Sequence, residues 1–165
     1  MNIFIMALWR LYYHLVWSTK DRTPLITTDI ESSLYDYMTG KANSFNCITH
    51  AIGGIENHLH LVVSIPPKLS IADFVHKIKG SSSHHVNHGM ENYLTQFTWQ
   101  KGYGVFSLGE KKLDVAVKYV LNQKQHHRDD TLIPLLEEDS EEDDAPTKYH
   151  IDDNYIKLPG DQSPG

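Results

Sequence analysis

Two histidines open the hydrophobic stretch HLHLVVS, which spans residues 58–64. Alternate side chains of an extended chain point to the same face, so His58 and His60 would lie side by side, about 7 Å apart along the strand. At that spacing both imidazoles can reach one metal ion. The alternative is that both are ordinary residues of an edge strand, and the pair by itself does not decide between the two.

A tyrosine and a glutamine form the second candidate group, in the segment YVLNQ. Tyr119 and Gln123 are four residues apart, so on a helix they lie one above the other on the same face. A tyrosine hydroxyl that attacks phosphorus forms a covalent phosphotyrosine, which keeps the energy of the broken bond for later rejoining. The alternative is that the tyrosine only packs against the rest of the protein.

A bound metal ion would connect the histidine pair with the Tyr119–Gln123 pair in one reaction. Two neutral imidazoles and one amide oxygen leave open coordination positions on a hard divalent ion such as Mg²⁺ or Mn²⁺, which water and phosphate oxygens can fill. An ion held in that way polarises a phosphodiester and stabilises the charge that develops during phosphoryl transfer. The four residues therefore suit phosphodiester cleavage if the fold brings them together.

The elements that must position these residues follow the order β α β β α β α. Aromatic and β-branched runs predict four strands, at residues 11–20, 47–56, 58–65 and 102–109. Apolar residues at helical spacing predict three helices, at residues 30–45, 71–89 and 110–128. This order resembles the ferredoxin-like, split βαβ plan of α+β proteins, an antiparallel sheet with helices on one face. The C-terminal helix carries the tyrosine, and its apolar side is predicted to consist of Leu113, Val117, Val120 and Leu121.

Length and composition predict a single folded domain. The chain has 165 residues, of which 40% are hydrophobic, enough for one core. No apolar run approaches the roughly 18 residues of a membrane span, so we expect no membrane partner. Cys47 is the only cysteine, which excludes an intramolecular disulfide and fits a reducing cytoplasm.

Charge divides the chain into two parts. The net charge is −6, but residues 131–165 hold 2 basic and 10 acidic residues, a net charge of −8, which leaves +2 on residues 1–130. We therefore expect a nearly neutral domain at 1–130 and an acidic, flexible C-terminal tail at 131–165. Within the tail, TLIPLLEE is a candidate docking segment. The tail could shield a DNA-binding groove, compete for it, or lie free in solvent.

Several segments together resemble one family. HLHLVVS resembles the histidine–hydrophobe–histidine motif of the HUH endonuclease superfamily, and YVLNQ resembles its single catalytic tyrosine with a metal-binding glutamine four residues on. Further similarity covers YYHLVWSTKDRTPLI, LSIADFVHKIKGSSSHHV, FTWQKGYGVFSLG and VKYVLNQKQHHR. In this order they resemble the small single-tyrosine transposases of bacterial insertion sequences and their repeat-associated domesticated relatives.

The resemblance implies a function and a role for each residue. Residues 1–130 would be an HUH single-tyrosine transposase domain that cleaves and rejoins single-stranded DNA at sites marked by hairpins. Tyr119 would join the 5′ phosphate, while His58, His60 and Gln123 would hold Mg²⁺ or Mn²⁺. Such proteins work as homodimers in which the tyrosine helix can serve the partner's site, in the cytoplasm of a bacterial or archaeal cell.

Two alternatives to this enzyme stay open. The first is a catalytically silent or domesticated dimer that binds single-stranded DNA hairpins, with the acidic tail in the DNA groove. The second is a replication-initiator or relaxase-type HUH nicking domain, which the short chain and single candidate tyrosine disfavour.

Other polar residues carry weaker predictions. Lysines, arginines and hydroxyls commonly hold phosphates without reading bases, and the candidate DNA contacts of this kind are Lys20, Arg22, Lys77, Lys79, Ser81 and Ser82. An ordinary solvated surface would explain them equally well. His126 and His127 could contact DNA or a metal ion, although the helix dipole favours cationic side chains at a helix end in any case.

Overall fold

The computed structural model of the protein describes residues 8–91 and 93–140, so most of the predicted acidic tail, at 141–165, lies outside the described residues. Four strands and four α-helices follow one another in the order β1 α1 β2 β3 α2 β4 α3 α4. The strands are β1 (Tyr12–Ser18), β2 (Ile48–Ile55), β3 (His58–Ser64) and β4 (Gly104–Leu108). The helices are α1 (Thr28–Ser44), α2 (Ile71–Gly89), α3 (Leu113–Leu121) and α4 (Gln123–Asp129).

The sheet is antiparallel throughout and has the strand order β2-β3-β1-β4. The predicted ferredoxin-like α+β plan is therefore confirmed, with β1 and β3 at the centre. In the register of these two strands, Ser18 lies opposite His58 and Val16 lies opposite His60. Directly opposed residues share a face, so the histidine face of β3 continues onto β1.

Helices α1 and α2 cover the other face of the sheet. Helix α1 buries Ile30, Leu34, Met38 and Ala42, which recur every four residues and form one apolar stripe. Helix α2 begins after Ser70, whose hydroxyl accepts a hydrogen bond of 3.0 Å from the backbone N–H of Asp73, as expected of an N-cap. Both helices pack on the alternate residues of β1 and β3, and Leu15, Trp17, Leu59 and Leu61 are buried beneath them.

The tyrosine helix lies on the histidine face, and it differs from its prediction in two ways. The single helix predicted at 110–128 is divided into a 3-10 turn at Glu110–Lys112, α3 and α4, because Asn122 leaves helical geometry between the last two. The buried side of α3 consists of Ala116, Tyr119 and Val120, whereas Leu121 is 63% exposed. Ala116 and Val120 pack against Ala51 and Val62 of the sheet, and this orientation of the helix leaves Leu121 facing outward.

After α4 the chain turns back across the histidine face. Asp130 adopts a left-handed conformation with φ of 53°, and a 3-10 turn follows at Pro134–Glu137. This turn contacts β1 and β4, so TLIPLLEE docks on the domain. Among the described residues, no helix has the length and hydrophobicity required to cross a membrane.

Candidate functional site

The two histidines of β3 lie side by side and are buried. Their ring centroids are 5.1 Å apart, and His60 is fully buried while His58 is 3% exposed. The Nε2 atoms of both rings lie 3.3 Å from the same oxygen, Oε2 of Glu137. The predicted pairing of the histidines on one face is therefore observed, and both rings point at one centre.

Each histidine has a partner that orients its ring. Nδ1 of His58 donates to Oδ1 of Asn57 at 2.8 Å, and Nδ1 of His60 lies 2.8 Å from Nε2 of the buried His14. A neutral imidazole that carries its proton on Nδ1 presents a lone pair on Nε2. The outer partners of metal-binding histidines fix the orientation and the tautomer of the ligand ring. Asn57 and His14 occupy the positions of such partners.

The tyrosine helix reaches this centre because a glycine leaves space for it. A Cβ atom at Gly53, directly opposite His60 on β2, would lie 2.3 Å from the carbonyl oxygen of Val120. The close approach places the Tyr119 ring centroid 6.1 Å from that of His60. Gln123, at the start of α4, is 1% exposed. The four predicted residues therefore come together within one chain.

A carboxylate that was not predicted occupies the centre of the site. Glu137 accepts a hydrogen bond from the Tyr119 hydroxyl and one of 3.5 Å from Nε2 of Gln123. With the two histidines, it belongs to a group of three residues whose ligand atoms all lie within 4.8 Å of one another. Glu137 is therefore positioned between the candidate nucleophile and the candidate metal ligands.

The donor atoms of the site are suited to a cation. Among the described residues, Nε2 of His60 and Oε1 of Gln123 are buried and make no hydrogen bond of regular geometry, although the former lies 3.3 Å from Glu137. Lone pairs on two imidazoles face a carboxylate oxygen, an arrangement that is stable only if a proton or a metal ion lies among them. Burial lowers the pKa of His60 and so favours its neutral form, which can act as a metal ligand. Imidazole, amide and carboxylate ligands suit a divalent metal ion, and the residues present therefore fit one.

Burial and neighbouring charges also shift the other titrating groups of the site. Burial, and then the neighbouring His60, lowers the pKa of His14 to about 3. Burial, and then the hydrogen bond to Glu137, raises the pKa of Tyr119. Burial opposes ionisation of Glu137, but its contacts with the two histidines of β3 outweigh this effect and hold its pKa well below the usual range. Tyr119 is therefore a neutral phenol, held so by burial first and by its hydrogen bond to Glu137 second.

The two histidines of α4 also border the site. Nε2 of His127 lies 3.2 Å from Nε2 of His58, and the His126 ring lies 4.8 Å from the Tyr119 ring at an angle of 33°. In the sequence, the presence of His126 and His127 is explained by their position at a helix end. In the structure, the helix is interrupted at Asn122, and both histidines of the following helix lie beside the site. No signal in the sequence identified His14, because its relevance depends on the pairing of β1 with β3.

The six residues predicted as DNA contacts are distributed over both faces of the sheet. Arg22 lies on the site side and donates to Asp139 at 2.9 Å, and Lys20 is exposed nearby. The other four belong to α2, across the sheet. Ser82 is fully buried, where it accepts a hydrogen bond from Nε1 of Trp99, which leaves it no surface for DNA. Lys79 donates to the carbonyl oxygens of residues 101 and 102, while Lys77 is exposed and Ser81 is half-buried.

Comparison with known proteins decides the family. The family model described as "Transposase IS200 like" matches residues 7–123, more than half of the chain. The chain belongs to the IS200-like transposase family. The resemblance found in the sequence is thereby confirmed, and membership makes the chain a DNA-processing enzyme of the transposase class. The matched region contains all four predicted site residues and ends before Glu137.

Two proteins to which the chain is similar come from Deinococcus radiodurans. The ISDra2 transposase TnpA is 25% identical over 127 residues, which cover 73% of this chain and 88% of that protein. A crystal structure of a transposase from strain R1 has a TM-score of 0.55 and 24% identity, and the match covers 74% of this chain and 98% of that one.

A third similar protein was solved with a bound hairpin. The structure of a REP-associated tyrosine transposase bound to a REP hairpin has a TM-score of 0.56 and 15% identity, and the match covers 74% of each chain. At these identities the two solved structures support the shared transposase fold.

Proposed function

We propose that this IS200-like transposase cleaves and rejoins single-stranded DNA at hairpin-marked sites through a 5′-phosphotyrosine intermediate. The observation that carries the proposal is the convergence of the Tyr119 hydroxyl and the Nε2 atoms of His58 and His60 on one anionic group, the carboxylate of Glu137. A nucleophile and two metal-ligand atoms that face the same anion are arranged as phosphodiester cleavage requires.

Each residue has a role in the proposed reaction. The Tyr119 oxygen forms a bond to phosphorus as the bond from phosphorus to the 3′ oxygen breaks; the phenolic proton passes to solvent, and the leaving oxygen takes up a proton to become a 3′ hydroxyl. His58, His60 and Gln123 would hold Mg²⁺ or Mn²⁺, which polarises the phosphodiester. In rejoining, a 3′ hydroxyl attacks the phosphotyrosine and releases Tyr119.

The proposed partners and location rest on the resemblance to the single-tyrosine transposases. We propose a homodimer that binds DNA hairpins, in the cytoplasm of a bacterial or archaeal cell. Within the chain Tyr119 lies beside its own histidines, and in the dimer the tyrosine helix could serve either subunit. A monomeric mass by light scattering at micromolar concentration would contradict the dimer.

The reaction is tested on a denaturing gel. We expect the full-length protein, incubated with labelled single-stranded hairpin DNA from beside its own gene, to give a protein-linked DNA band in Mn²⁺ and none in EDTA. Peptide mapping of that band should place the nucleotide on Tyr119. The absence of any band, together with a mobility shift on a native gel, would favour the second candidate function, a silent hairpin-binding protein. That candidate is motivated by Glu137, which separates the nucleophile from the metal ligands.

A further prediction concerns the orienting partner of His60. We expect His14→Phe to weaken Mn²⁺ binding by roughly 10- to 100-fold, because loss of an outer partner lets the ligand ring change its orientation and tautomer. His14→Asn offers a new side-chain acceptor and should recover part of the affinity. Calorimetric titration of the full-length variants with Mn²⁺ measures both effects. His50→Phe is the matched control, since His50 hydrogen-bonds Ser64 away from the site, and equal losses in His14→Phe and His50→Phe would contradict the role of His14.

A further inference from the structure

The chain crosses its own site with a short segment, residues 133–139, which we call the C-terminal strap. At one end the backbone N–H of Ile133 donates to the Tyr119 hydroxyl oxygen at 3.1 Å. In the middle lies Glu137, between the tyrosine and the histidines. At the other end Asp139 is held against the end of β1. The strap therefore runs from the candidate nucleophile, past the candidate metal ligands, to the end of β1.

The far end of the strap lies in an anion-binding corner. Asp139, whose side chain is 12% exposed, accepts a hydrogen bond from the Ser18 hydroxyl and forms an ion pair of 2.9 Å with Arg22. Ser18 is itself 2% exposed and pairs with His58 in the sheet register, so the corner adjoins the histidine site. A buried hydroxyl and a guanidinium are groups that commonly bind a phosphate.

A glycine provides room for the backbone of the strap between these two anion sites. A Cβ atom at Gly104, on β4, would lie 2.0 Å from the carbonyl oxygen of Glu138 and 2.8 Å from a methyl group of Val16. Glu138 itself is exposed. The surface is thus a groove that holds a chain against the sheet and binds two negative groups separated by one exposed residue.

We propose that this groove is the path of the DNA backbone, in which Glu137 occupies the place of the scissile phosphate and Asp139 the place of an adjacent phosphate. The inference rests on the proposed function and extends it with a second phosphate subsite, formed by Ser18 and Arg22. The ligand is the phosphodiester backbone of single-stranded DNA. DNA and the strap cannot occupy the groove together, so binding requires displacement of the strap. The strap then competes with DNA from within the chain and lowers its apparent affinity.

The subsite is tested by the salt dependence of DNA binding. For Arg22→Ala we expect about tenfold weaker binding of fluorescent single-stranded hairpin DNA and a slope of log K against log salt that is smaller by about 0.7, because one phosphate contact is lost. Arg22 is 52% exposed, so its replacement leaves the core intact. Lys68→Ala removes the same charge from an exposed position outside the groove and should leave the slope unchanged. Equal slopes in the two variants would overturn the assignment of Arg22.

Competition by the strap is tested with a double-mutant cycle. We expect Asp139→Ala to bind the same DNA roughly threefold or more tightly, because the open state becomes more populated. In the Arg22→Ala background this gain should be smaller, since the ion pair that holds Asp139 is already lost and only the Ser18 hydrogen bond remains. Glu138→Ala, the exposed neighbour, controls for the lost negative charge. A gain in Glu138→Ala equal to that in Asp139→Ala, or an Asp139→Ala gain that is undiminished without Arg22, would overturn the proposal.

The two proposals fail in different ways. If the unsubstituted protein and all variants bind no hairpin DNA, the proposed function fails and this inference fails with it. If hairpin DNA binds and forms the covalent adduct, but Arg22→Ala behaves as Lys68→Ala does, only the second phosphate subsite is overturned.

Discussion

The variant Tyr119→Phe is expected to form no covalent adduct with hairpin DNA but to bind that DNA at least as tightly as the unsubstituted protein. The phenyl ring fills the same space beside His60 and His126, but no oxygen remains to attack phosphorus. Removal of a nucleophile typically lowers turnover by several orders of magnitude, so adduct formation should fall below about a thousandth. Quantitative denaturing gels measure the adduct, and fluorescence anisotropy measures the affinity.

A matched variant controls for the loss of a phenolic hydroxyl. Tyr37 belongs to α1, on the opposite face of the sheet, where its ring stacks on His85 at 4.1 Å. Tyr37→Phe should form the adduct at the rate of the unsubstituted protein. If Tyr119→Phe forms the adduct as well, the nucleophile lies elsewhere. If it loses DNA binding together with the adduct, the effect of the substitution is structural.

The second large effect is expected for Glu137→Ala. The carboxylate hydrogen-bonds the Tyr119 hydroxyl and faces both histidines, so it fills the space that the phosphorus atom would need. Its removal should raise the rate of adduct formation at subsaturating DNA by roughly tenfold, because more of the protein is open to DNA before binding. Single-turnover assays with limiting hairpin DNA in Mn²⁺ measure this rate.

The same variant distinguishes an obstructing carboxylate from a metal ligand. If Glu137 serves the reaction as a ligand, Glu137→Ala should lose Mn²⁺ affinity in calorimetric titrations and form the adduct more slowly. Those two results together would contradict displacement of the strap. Glu137→Gln keeps the shape of the side chain but removes its charge, and we expect an intermediate rate. Glu138→Ala, one residue further on and exposed, should leave the rate unchanged.

The local pattern of the sequence was sufficient for most of the fold. Alternation in HLHLVVS predicted which residues of β3 share a face, and apolar residues at helical spacing in 30–45 predicted helix α1. Both patterns reflect the period of an isolated strand or helix, so no knowledge of distant contacts was needed. The prediction for the last helix was less accurate, because its orientation depends on Gly53 and Ala116, where helix and sheet meet.

The site was predictable only in part. Motif spacing identified His58, His60, Tyr119 and Gln123 as candidates, since each pair is close in sequence and the chemistry of the four residues is complementary. That the two pairs meet depends on α3 lying across β2 and β3. His14 and Arg22 gain their significance from strand pairing and from the strap, which are long-range contacts that composition and periodicity do not encode.

The family, the order of elements, the two pairs of candidate catalytic residues and the acidity of the C-terminal region were predictable from the sequence, because each of these is a property of residue type and short spacing. Where the acidity acts is evident only from the folded chain. Glu137 and Asp139 are two of ten acidic residues beyond position 130, and no local pattern distinguishes them from the others. They enter the site because the chain reverses at Asp130 and because Gly104 leaves room for the strap.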